Sequence, residues 1–158
     1  NSVLSIAKDS DFIEAQFDIT LLIKDVVRLL KDTLTKKNAD VIFNFEKPVI
    51  VKGDEQKLSR VFFNILLNAA DSIETLSGGW IKIEISEDSK KIYINIEDSG
   101  GGIKEEHIDR IFTPFYTTKK SGTGLGLSIS MNIINEHSGK ILCKNTVNGA
   151  LFSIILNK

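Results

Sequence analysis

The stretch from residue 54 to about residue 76 limits the possible folds of this chain more than any other segment. It reads as one helix, with Asp54 as its N-cap, and most of its side chains over 61–70 are apolar. Four polar side chains follow each other at spacings of four, four and three and share one face: Arg60, Asn64, Asn68 and Asp71. A helix this apolar should be buried, and a buried amide costs about 1–3 kcal/mol unless it forms a hydrogen bond. The stripe is therefore either a solvated face of a core helix or the lining of a ligand cavity.

Segments with alternating apolar residues provide a sheet for this helix to cover. Residues 81–85 and 92–96 carry isoleucine at every second position, and the polar turn 86–90 joins them, which predicts an antiparallel hairpin with one buried face. A helix is expected over about 20–37, and further short strands are expected at 17–19, 41–45, 48–52, 141–145 and 151–156. The sequence predicts an α+β domain in which helices pack on one face of a mixed, mostly antiparallel sheet.

Charge and cysteine content narrow the functional class. The 158 residues contain 20 Lys and Arg against 21 Asp and Glu, so neither a nucleic-acid surface nor a membrane surface is expected. Cys143 is the single cysteine and lies in an apolar stretch, which indicates a buried free thiol in a reducing compartment. No apolar run reaches the ~18–20 residues of a membrane span. The domain is expected in the cytoplasm, and a membrane anchor in a longer parent is left open.

Asp98 is a carboxylate in an apolar row. It has the same parity as Ile92, Ile94 and Ile96 in its predicted strand, so its side chain should point towards the core, where a charge needs a partner. One interpretation is a structural acid that accepts N–H bonds from the glycine turn at 100–102. The other is an acceptor for the exocyclic amine of a ligand such as adenine, with glycine backbone close to the ring.

A second glycine-rich segment precedes an ambiguous stretch. Residues 122–127 read Gly-Thr-Gly-Leu-Gly-Leu, and backbone N–H groups at such a turn can bind an anion when a helix follows. The spacing matches neither a P-loop nor a dinucleotide-binding fingerprint. Lys119 and Lys120 just before it are either phosphate ligands or a solvated basic pair. Apolar residues over 125–138 alternate as in a strand, although some of them also share a helical face.

These segments together resemble the ATP-binding catalytic domain of two-component sensor histidine kinases. Residues 64–72 resemble the N box, 98–103 the first glycine box, 111–119 the F box and 122–127 the second glycine box. The resemblance covers about 17–157. It implies the Bergerat ATP-binding fold shared with DNA gyrase and heat-shock-type chaperones, with a helix at 125–138 that ends at Gly139. It also implies that 17–158 is the catalytic domain and that 1–16 is the end of a dimerisation hairpin and its linker.

The resemblance also implies a set of site residues. ATP and Mg²⁺ are the expected cofactors, Asn68 is the expected metal ligand, and Asn64, Asn68 and Lys119 are the expected catalytic residues. Residues 113–123 would form a mobile lid. The ATP-binding residues implied in this way are Asn64, Asn68, Asp71, Asp98, Gly100, Gly102, Ile103, Phe112, Thr118, Lys119, Gly122, Thr123, Gly124, Leu125, Gly126 and Leu127.

Two departures from the family pattern bear on the activity. Hydrolytic relatives carry a glutamate base where this chain has Asn64, and an amide is a poor proton acceptor, which favours transfer to an external nucleophile. Many kinases carry threonine where this chain has Ala150. The expected function is transfer of the γ-phosphate of ATP to a protein histidine outside this sequence, for relay to a response regulator aspartate. The alternative is an interaction module gated by nucleotide without phosphotransfer, and a serine-directed kinase is a further possibility.

The two histidines do not fit the acceptor role. Neither His107 nor His137 lies on a long amphipathic helix beside an acid, so both are expected to be surface or capping residues. The expected partners are therefore a histidine-bearing dimerisation domain of the parent kinase and the receiver domain of a response regulator. The domain alone is expected to be a monomer, and its parent a homodimer.

Overall fold

The computed structural model describes residues 11–74 and 77–158. Its elements in chain order are β1 Ala15–Asp18, α1 Ile19–Leu29, α2 Lys31–Lys36, β2 Ala39–Asn44, β3 Ile50–Gly53, α3 Glu55–Glu74, β4 Gly79–Glu87, β5 Lys91–Asp98, α4 Glu105–Ile108, α5 Gly126–Glu136, β6 Lys140–Asn145 and β7 Ala150–Asn157. None of the helices within these ranges is long and apolar enough to cross a membrane.

The main sheet has five strands in the order β2-β4-β5-β7-β6. β2 runs parallel to β4, and each of the other neighbouring pairs is antiparallel. β1 and β3 form a separate antiparallel pair. The predicted α+β class with a mixed, mostly antiparallel sheet is confirmed. The hairpin predicted from alternating isoleucines is also confirmed, with Ile83 opposite Ile96 and Ile85 opposite Ile94.

The core lies between one face of this sheet and the helices. Alternate residues of the central strands point inwards and are almost fully buried: Ile81, Ile83, Ile92, Ile94, Ile96 and Ile154. The facing side chains of α3 are equally buried: Leu58, Phe62, Ile65, Leu66 and Ile73. Burial stabilises the fold by about 1.5–3 kcal/mol for a side chain the size of Phe62. The apolar part of α3 is therefore the centre of the core, as its composition predicted.

The first helical region differs from its prediction. One helix was expected over about 20–37, whereas α1 and α2 follow each other with a break at Leu30, whose φ and ψ are −88° and 2°. The N–H of Leu30 still bonds to the Val26 carbonyl at 3.0 Å, so no loop separates the two helices. The strand expected at 17–19 is observed as β1, which ends at Asp18. It ends there because Asp18 caps α1 by accepting the Thr20 N–H at 2.9 Å, and Ile19 is already helical.

The ambiguous stretch 125–138 is a helix, α5, as the resemblance implied. Its end is formed by Ser138, with a φ of 54°, and the Gly139 N–H returns to the Ile134 carbonyl at 2.9 Å. The segment between β5 and α5 contains the short helix α4, which was not predicted. Most of the segment 1–16, expected to be the end of a dimerisation hairpin and its linker, lies in residues 1–10, outside the described residues. The domain boundary at residue 17 stays a prediction.

Candidate functional site

Asn64 connects the polar stripe of α3 with the start of α5. Its Nδ2 donates to the Gly126 carbonyl at 3.1 Å and lies 3.4 Å from the Ser130 hydroxyl. A Cβ added to Gly126 would lie 3.6 Å from the Asn64 side chain, so the helices pack closely here. The second glycine segment and the first asparagine of the stripe are thus in contact. Arg60, at the beginning of the stripe, is exposed and does not join this group.

Asn68 and Asp71 hold the ammonium group of Lys119. The Lys119 Nζ lies 2.9 Å from Asn68 Oδ1 and 2.5 Å from Asp71 Oδ2, although 48 residues separate Lys119 from Asp71. Lys37, at the end of α2, binds the other oxygen of Asp71 at 2.9 Å and also Glu74. Partial burial alone would raise the pKa of Asp71, but hydrogen bonds from Lys119 and Lys37 outweigh it and hold this pKa below its usual value. Asp71 is therefore a carboxylate between two cations.

Asp98 lies at the inner end of β5 and is 3% exposed. Its Oδ1 accepts the Gly100 N–H at 2.8 Å, and it accepts a second bond from the Ala150 N–H. Burial raises its pKa above the usual value despite these two bonds. Ser72 of α3 donates to the Gly100 carbonyl at 3.1 Å, so the first glycine segment is attached to the end of the polar stripe. Both interpretations of Asp98 remain compatible with this geometry.

Two glycines are required by close contacts. A Cβ at Gly100 would lie 2.2 Å from the Ser72 hydroxyl, so the glycine permits the contact between α3 and the first glycine segment. Gly124 has a φ of 71°, and a Cβ there would lie 2.3 Å from the Phe115 carbonyl carbon. Gly124 thereby allows the chain before α5 to pass against the lid, residues 113–123.

The remaining predicted residues form no hydrogen bond with Asn64 or Asn68 in the described part of the chain. Thr118, Gly122 and Thr123 are exposed lid residues. Gly102, with a φ of 79°, and Ile103 are the last two residues of the first glycine segment, 98–103. Phe112 packs edge-on against Phe152 with ring centroids 6.3 Å apart. Leu125 and Leu127 are half-buried at the start of α5, where Leu127 packs against the core.

Sequence reasoning missed two residues that hold the site together. Lys37 reaches Asp71 from a different helix, and nothing distinguishes it from its neighbour Lys36 in the sequence. Asn145 pairs with the backbone of Ile103 in both directions: its Oδ1 accepts the Ile103 N–H at 2.8 Å and its Nδ2 donates to the Ile103 carbonyl at 2.5 Å. The only signal in the sequence was the position of Asn145 at the β6–β7 turn. This signal is weak, because asparagine is common in turns for several reasons.

His137 has both ring nitrogens engaged. Nδ1 lies 2.7 Å from the Ile133 carbonyl and Nε2 accepts the Asp54 N–H at 2.9 Å. Phe12 packs edge-on against the imidazole with centroids 4.8 Å apart, and the Ile13 N–H bonds to Asp54 Oδ2 at 2.9 Å. We call Phe12, Ile13, Asp54 and His137 the N-terminal junction. His107 bonds through Nδ1 to the Tyr116 hydroxyl. His137 is thus a capping residue, as expected, but it is only half exposed.

A family model matches two-thirds of the chain. Residues 53–158 match the model of the histidine kinase-, DNA gyrase B-, and HSP90-like ATPases, which includes α3, both glycine segments and the main sheet from β4 onwards. The chain belongs to this ATPase family.

Within the ATPase family, the similar proteins are histidine kinases. Sporulation kinase A of Bacillus subtilis is 37% identical over 146 residues, which is 89% of this chain and 23% of that kinase. The catalytic domain of histidine kinase ThkA superposes with a TM-score of 0.83 at 35% identity, covering 92% of this chain and 98% of that domain. ThkA has also been solved with the response regulator TrrA, with a TM-score of 0.78 at 33% identity, and this chain covers 42% of that kinase chain.

These comparisons identify a histidine kinase-type ATPase domain. The chain spans between 23% and 37% of the length of the first curated relatives it matches. The match therefore concerns their catalytic domain. It does not extend to the acceptor histidine, the substrates or the partners of a whole kinase.

Proposed function

We propose that this domain binds ATP with Mg²⁺ and transfers the γ-phosphate to a histidine of a partner domain. The supporting observation is that three sequence-distant segments meet along the polar face of α3. Asn64 contacts the start of α5, Asn68 and Asp71 contact Lys119, and Ser72 contacts Gly100 beside Asp98. One face of one helix thus reaches every segment expected to touch the nucleotide.

The adenine end of the site is assigned to Asp98. A carboxylate can accept a hydrogen bond from the exocyclic amine of adenine, which distinguishes adenine from guanine by chemistry rather than by size. Gly102 is half-buried and leaves backbone open beside it, whereas Gly100 is buried and holds Asp98 and Ser72. Asn145 fixes Ile103 and so keeps this segment in place.

The phosphate end is assigned to the start of α5, Lys119 and the asparagines. In the part of the chain that the structure describes, no side chain caps α5, so its first N–H groups and its helix dipole are available to an anion. Lys119 supplies a positive charge from the lid. Asn64 donates its amide to Gly126 and cannot act as a base, which favours transfer to an external nucleophile over hydrolysis.

The oxygen atoms around Lys119 suit a hard cation. Asn68 Oδ1 and Asp71 Oδ2 already bind an ammonium group, and Mg²⁺ prefers oxygen ligands shared with substrate phosphates. Within residues 11–74 and 77–158, no cluster of three or more His, Cys, Asp or Glu side chains could hold a metal. Asn68 is therefore the proposed protein ligand, and the metal would neutralise phosphate charge during transfer.

The acceptor is proposed to be a histidine outside this domain. His137 uses both nitrogens to hold α3 and α5, and His107 is bonded to Tyr116. We further propose that the phosphate passes on to a response regulator, that the parent kinase is a homodimer, and that this domain lies in the cytoplasm. The solved complex of ThkA with TrrA supports the relay.

Nucleotide titration tests the binding part of the proposal. Asp98→Asn should weaken ATP and ADP binding by about 10- to 100-fold, because a hydrogen bond to a charged group contributes about 1.5–3 kcal/mol. Isothermal titration calorimetry measures this effect. Asp32→Asn removes the same charge from the exposed side of α2 and should leave affinity unchanged. Equal affinity of wild type and Asp98→Asn would contradict the assignment.

Phosphotransfer is tested separately. The domain is mixed with a histidine-bearing dimerisation hairpin of a related kinase and γ-labelled ATP, and acid-labile label on the hairpin is the expected product. Omission of the hairpin should leave all protein unlabelled. Nucleotide binding without any labelled histidine, using hairpins from several relatives, would favour the nucleotide-gated interaction module.

A further inference from the structure

A groove lies between the first two helices and the edge strand β2, away from the proposed nucleotide site. It has a volume of about 420 Å³ and is bounded by α1, α2 and β2. None of the residues predicted for nucleotide binding lines it. Its apolar lining includes Val27 and Leu34 from the helices and Val41 and Phe43 from the strand.

The strand along this groove has an open edge. Among residues 11–74 and 77–158, β4 alone pairs with β2, so the other side of β2 carries unpaired backbone groups. Ile42 and Phe43 are 47% and 38% exposed, and they point to opposite faces of the sheet. Exposed strand edges are templates for pairing with another strand, and proteins commonly block them with lysine or proline.

The two edges of the sheet differ in this respect. β6, at the opposite edge, carries exposed Lys140 and Lys144. β2 contains neither lysine nor proline, and its single charged residue is Asp40. The β2 edge therefore lacks the protection that β6 has.

The helical wall of the groove is cationic. Lys24, Arg28 and Lys31 line it at spacings of four and three, so they share one side of the helical region. Arg28 pairs with Asp25 at 2.7 Å on the surface, where such a pair contributes little and can be exchanged. Neither Lys24 nor Lys31 forms an ion pair with any residue that the structure describes, and Lys24 lies over the Phe45 ring. With Asp40 as the one anionic lining residue, the groove is positive overall.

We propose that this groove binds an extended peptide segment of a partner protein that carries acidic side chains between apolar ones. The backbone of the segment pairs with β2. Because side chains of a strand alternate between its two faces, the carboxylates point to the helical side, towards Lys24 and Lys31, and the apolar side chains point to the opposite face, beside the exposed Ile42. Addition of a strand to a sheet edge is a common mode of peptide recognition, in which main-chain bonds give affinity and side-chain pockets give specificity. This proposal does not depend on the nucleotide site.

The test uses three synthetic eight-residue probes: alternating Val-Glu, alternating Val-Lys, and Val-Glu with every backbone nitrogen methylated, so that neither edge of the peptide can donate to β2. Backbone amide shifts of residues 39–44 are followed by NMR during titration of the isotope-labelled domain. Val-Glu should shift these amides and bind about tenfold more tightly than Val-Lys, because Lys24 and Lys31 attract its carboxylates and repel the ammonium groups of Val-Lys. Methylation of the backbone should abolish the shifts.

Charge reversal provides the matched control. The double variant K24E/K31E should reverse the preference towards Val-Lys, whereas K140E/K144E, the same change at the opposite edge, should leave it intact. Equal binding of the methylated probe, absence of shifts in 39–44 at millimolar peptide, or an equal effect of K140E/K144E would each overturn the proposal. Concentration-dependent shifts of 39–44 without peptide would assign the groove to a second copy of the chain and would also overturn it.

Discussion

Asp98 combines a negative charge with almost complete burial. Its two N–H bonds come from backbone on both sides, Gly100 and Ala150, and burial nevertheless raises its pKa. An ionised carboxylate in such a place lowers the stability of the fold, which is common for residues kept for binding. Stability and affinity should therefore respond in opposite directions when this charge is removed.

Asp98→Asn should stabilise the protein near neutral pH while it weakens nucleotide binding. When the pKa of a carboxyl is higher in the folded state than in the unfolded state, the fold loses stability as the pH rises. The loss begins near the ordinary pKa, about 3.9, and is complete above the raised pKa. The variant lacks this loss, so its advantage should be present at pH 7 and disappear as pH falls towards 4. Urea unfolding at several pH values measures this difference. A constant difference across that range would contradict the raised pKa.

Residue-scale prediction from sequence worked where a periodic pattern placed a side chain. The parity of Asp98 with Ile92, Ile94 and Ile96 predicted its inward position correctly. Lys37 and Asn145 could not be found in this way, because their roles depend on contacts with residues 34 and 42 positions away. Long polar side chains carry no periodic signal that reveals such partners.

At the scale of elements, α3 and the lid are connected through Lys119. Its ammonium group lies on Asn68 Oδ1, the oxygen proposed to bind the metal. A metal ion on this oxygen would lie close to the ammonium group, and the repulsion between two cations would favour movement of Lys119. The position of the lid and the occupation of the proposed metal site should therefore be coupled.

Lys119→Met should loosen the lid in the absence of nucleotide. The exposed ion pair with Asp71 contributes about 0.2–1 kcal/mol, so the lid should open about two- to fivefold more often. Limited chymotrypsin digestion, which cleaves after Phe115 and Tyr116, reports this opening. Lys120→Met changes the adjacent exposed lysine and should cleave at the wild-type rate. Identical rates for both variants would show that Lys119 does not hold the lid.

Gly53 and His137 should be coupled energetically. A Cβ at Gly53 would lie 2.6 Å from His137 Cδ2, so Gly53→Ala should destabilise by about 1–3 kcal/mol through overpacking. His137→Ala should destabilise by a similar amount because the Asp54 N–H loses its acceptor. The double variant should then be less destabilised than the two losses added together, which urea unfolding can measure. As a control, the losses of stability caused by Gly53→Ala and His107→Ala should add up in their double variant. Additive losses for Gly53→Ala and His137→Ala would contradict the contact between Gly53 and His137.

The element that sequence patterns described least well is α5. Its apolar residues alternate, and only the family resemblance indicated a helix. The structure gives the reason: two of its most buried residues are Ser128 and Ser130, whose hydroxyls bond to carbonyls of the preceding turn. Small polar residues replace apolar ones on the buried face, because α3 and α5 approach closely at Asn64 and Gly126. The hydrophobic pattern therefore lost its helical period.

At the scale of the whole molecule, the central hairpin and α3 were predictable because each has one continuous apolar face. The break at Leu30 and the pairing of β1 with β3 were not, since both depend on how distant segments pack. Sheet order could not be derived from periodicity either, because alternation shows which face is buried and not which strands are neighbours. The order β2-β4-β5-β7-β6 is known only from the structure.

Cys143 was expected to be a buried free thiol and is half-buried in β6. Burial raises the pKa of its thiol to about 12, so alkylation of the folded protein at pH 8 should be on the order of 100-fold slower than for a free cysteine. Unfolding in urea should restore the rate of a free cysteine. Iodoacetamide labelling followed by mass spectrometry measures both rates. Equal rates for the folded and the unfolded protein would contradict the raised pKa.

The N-terminal junction connects the chain before β1 to two helices, α3 and α5. Phe12 rests on His137 at the end of α5, and Ile13 is bonded to Asp54 at the start of α3. A push or twist arriving at Phe12 is therefore delivered to both helices at once, at the ends opposite to the lid. The far portions of the two helices carry the groups proposed to bind phosphate. A displacement upstream should therefore reach the proposed site through these helices rather than through the sheet.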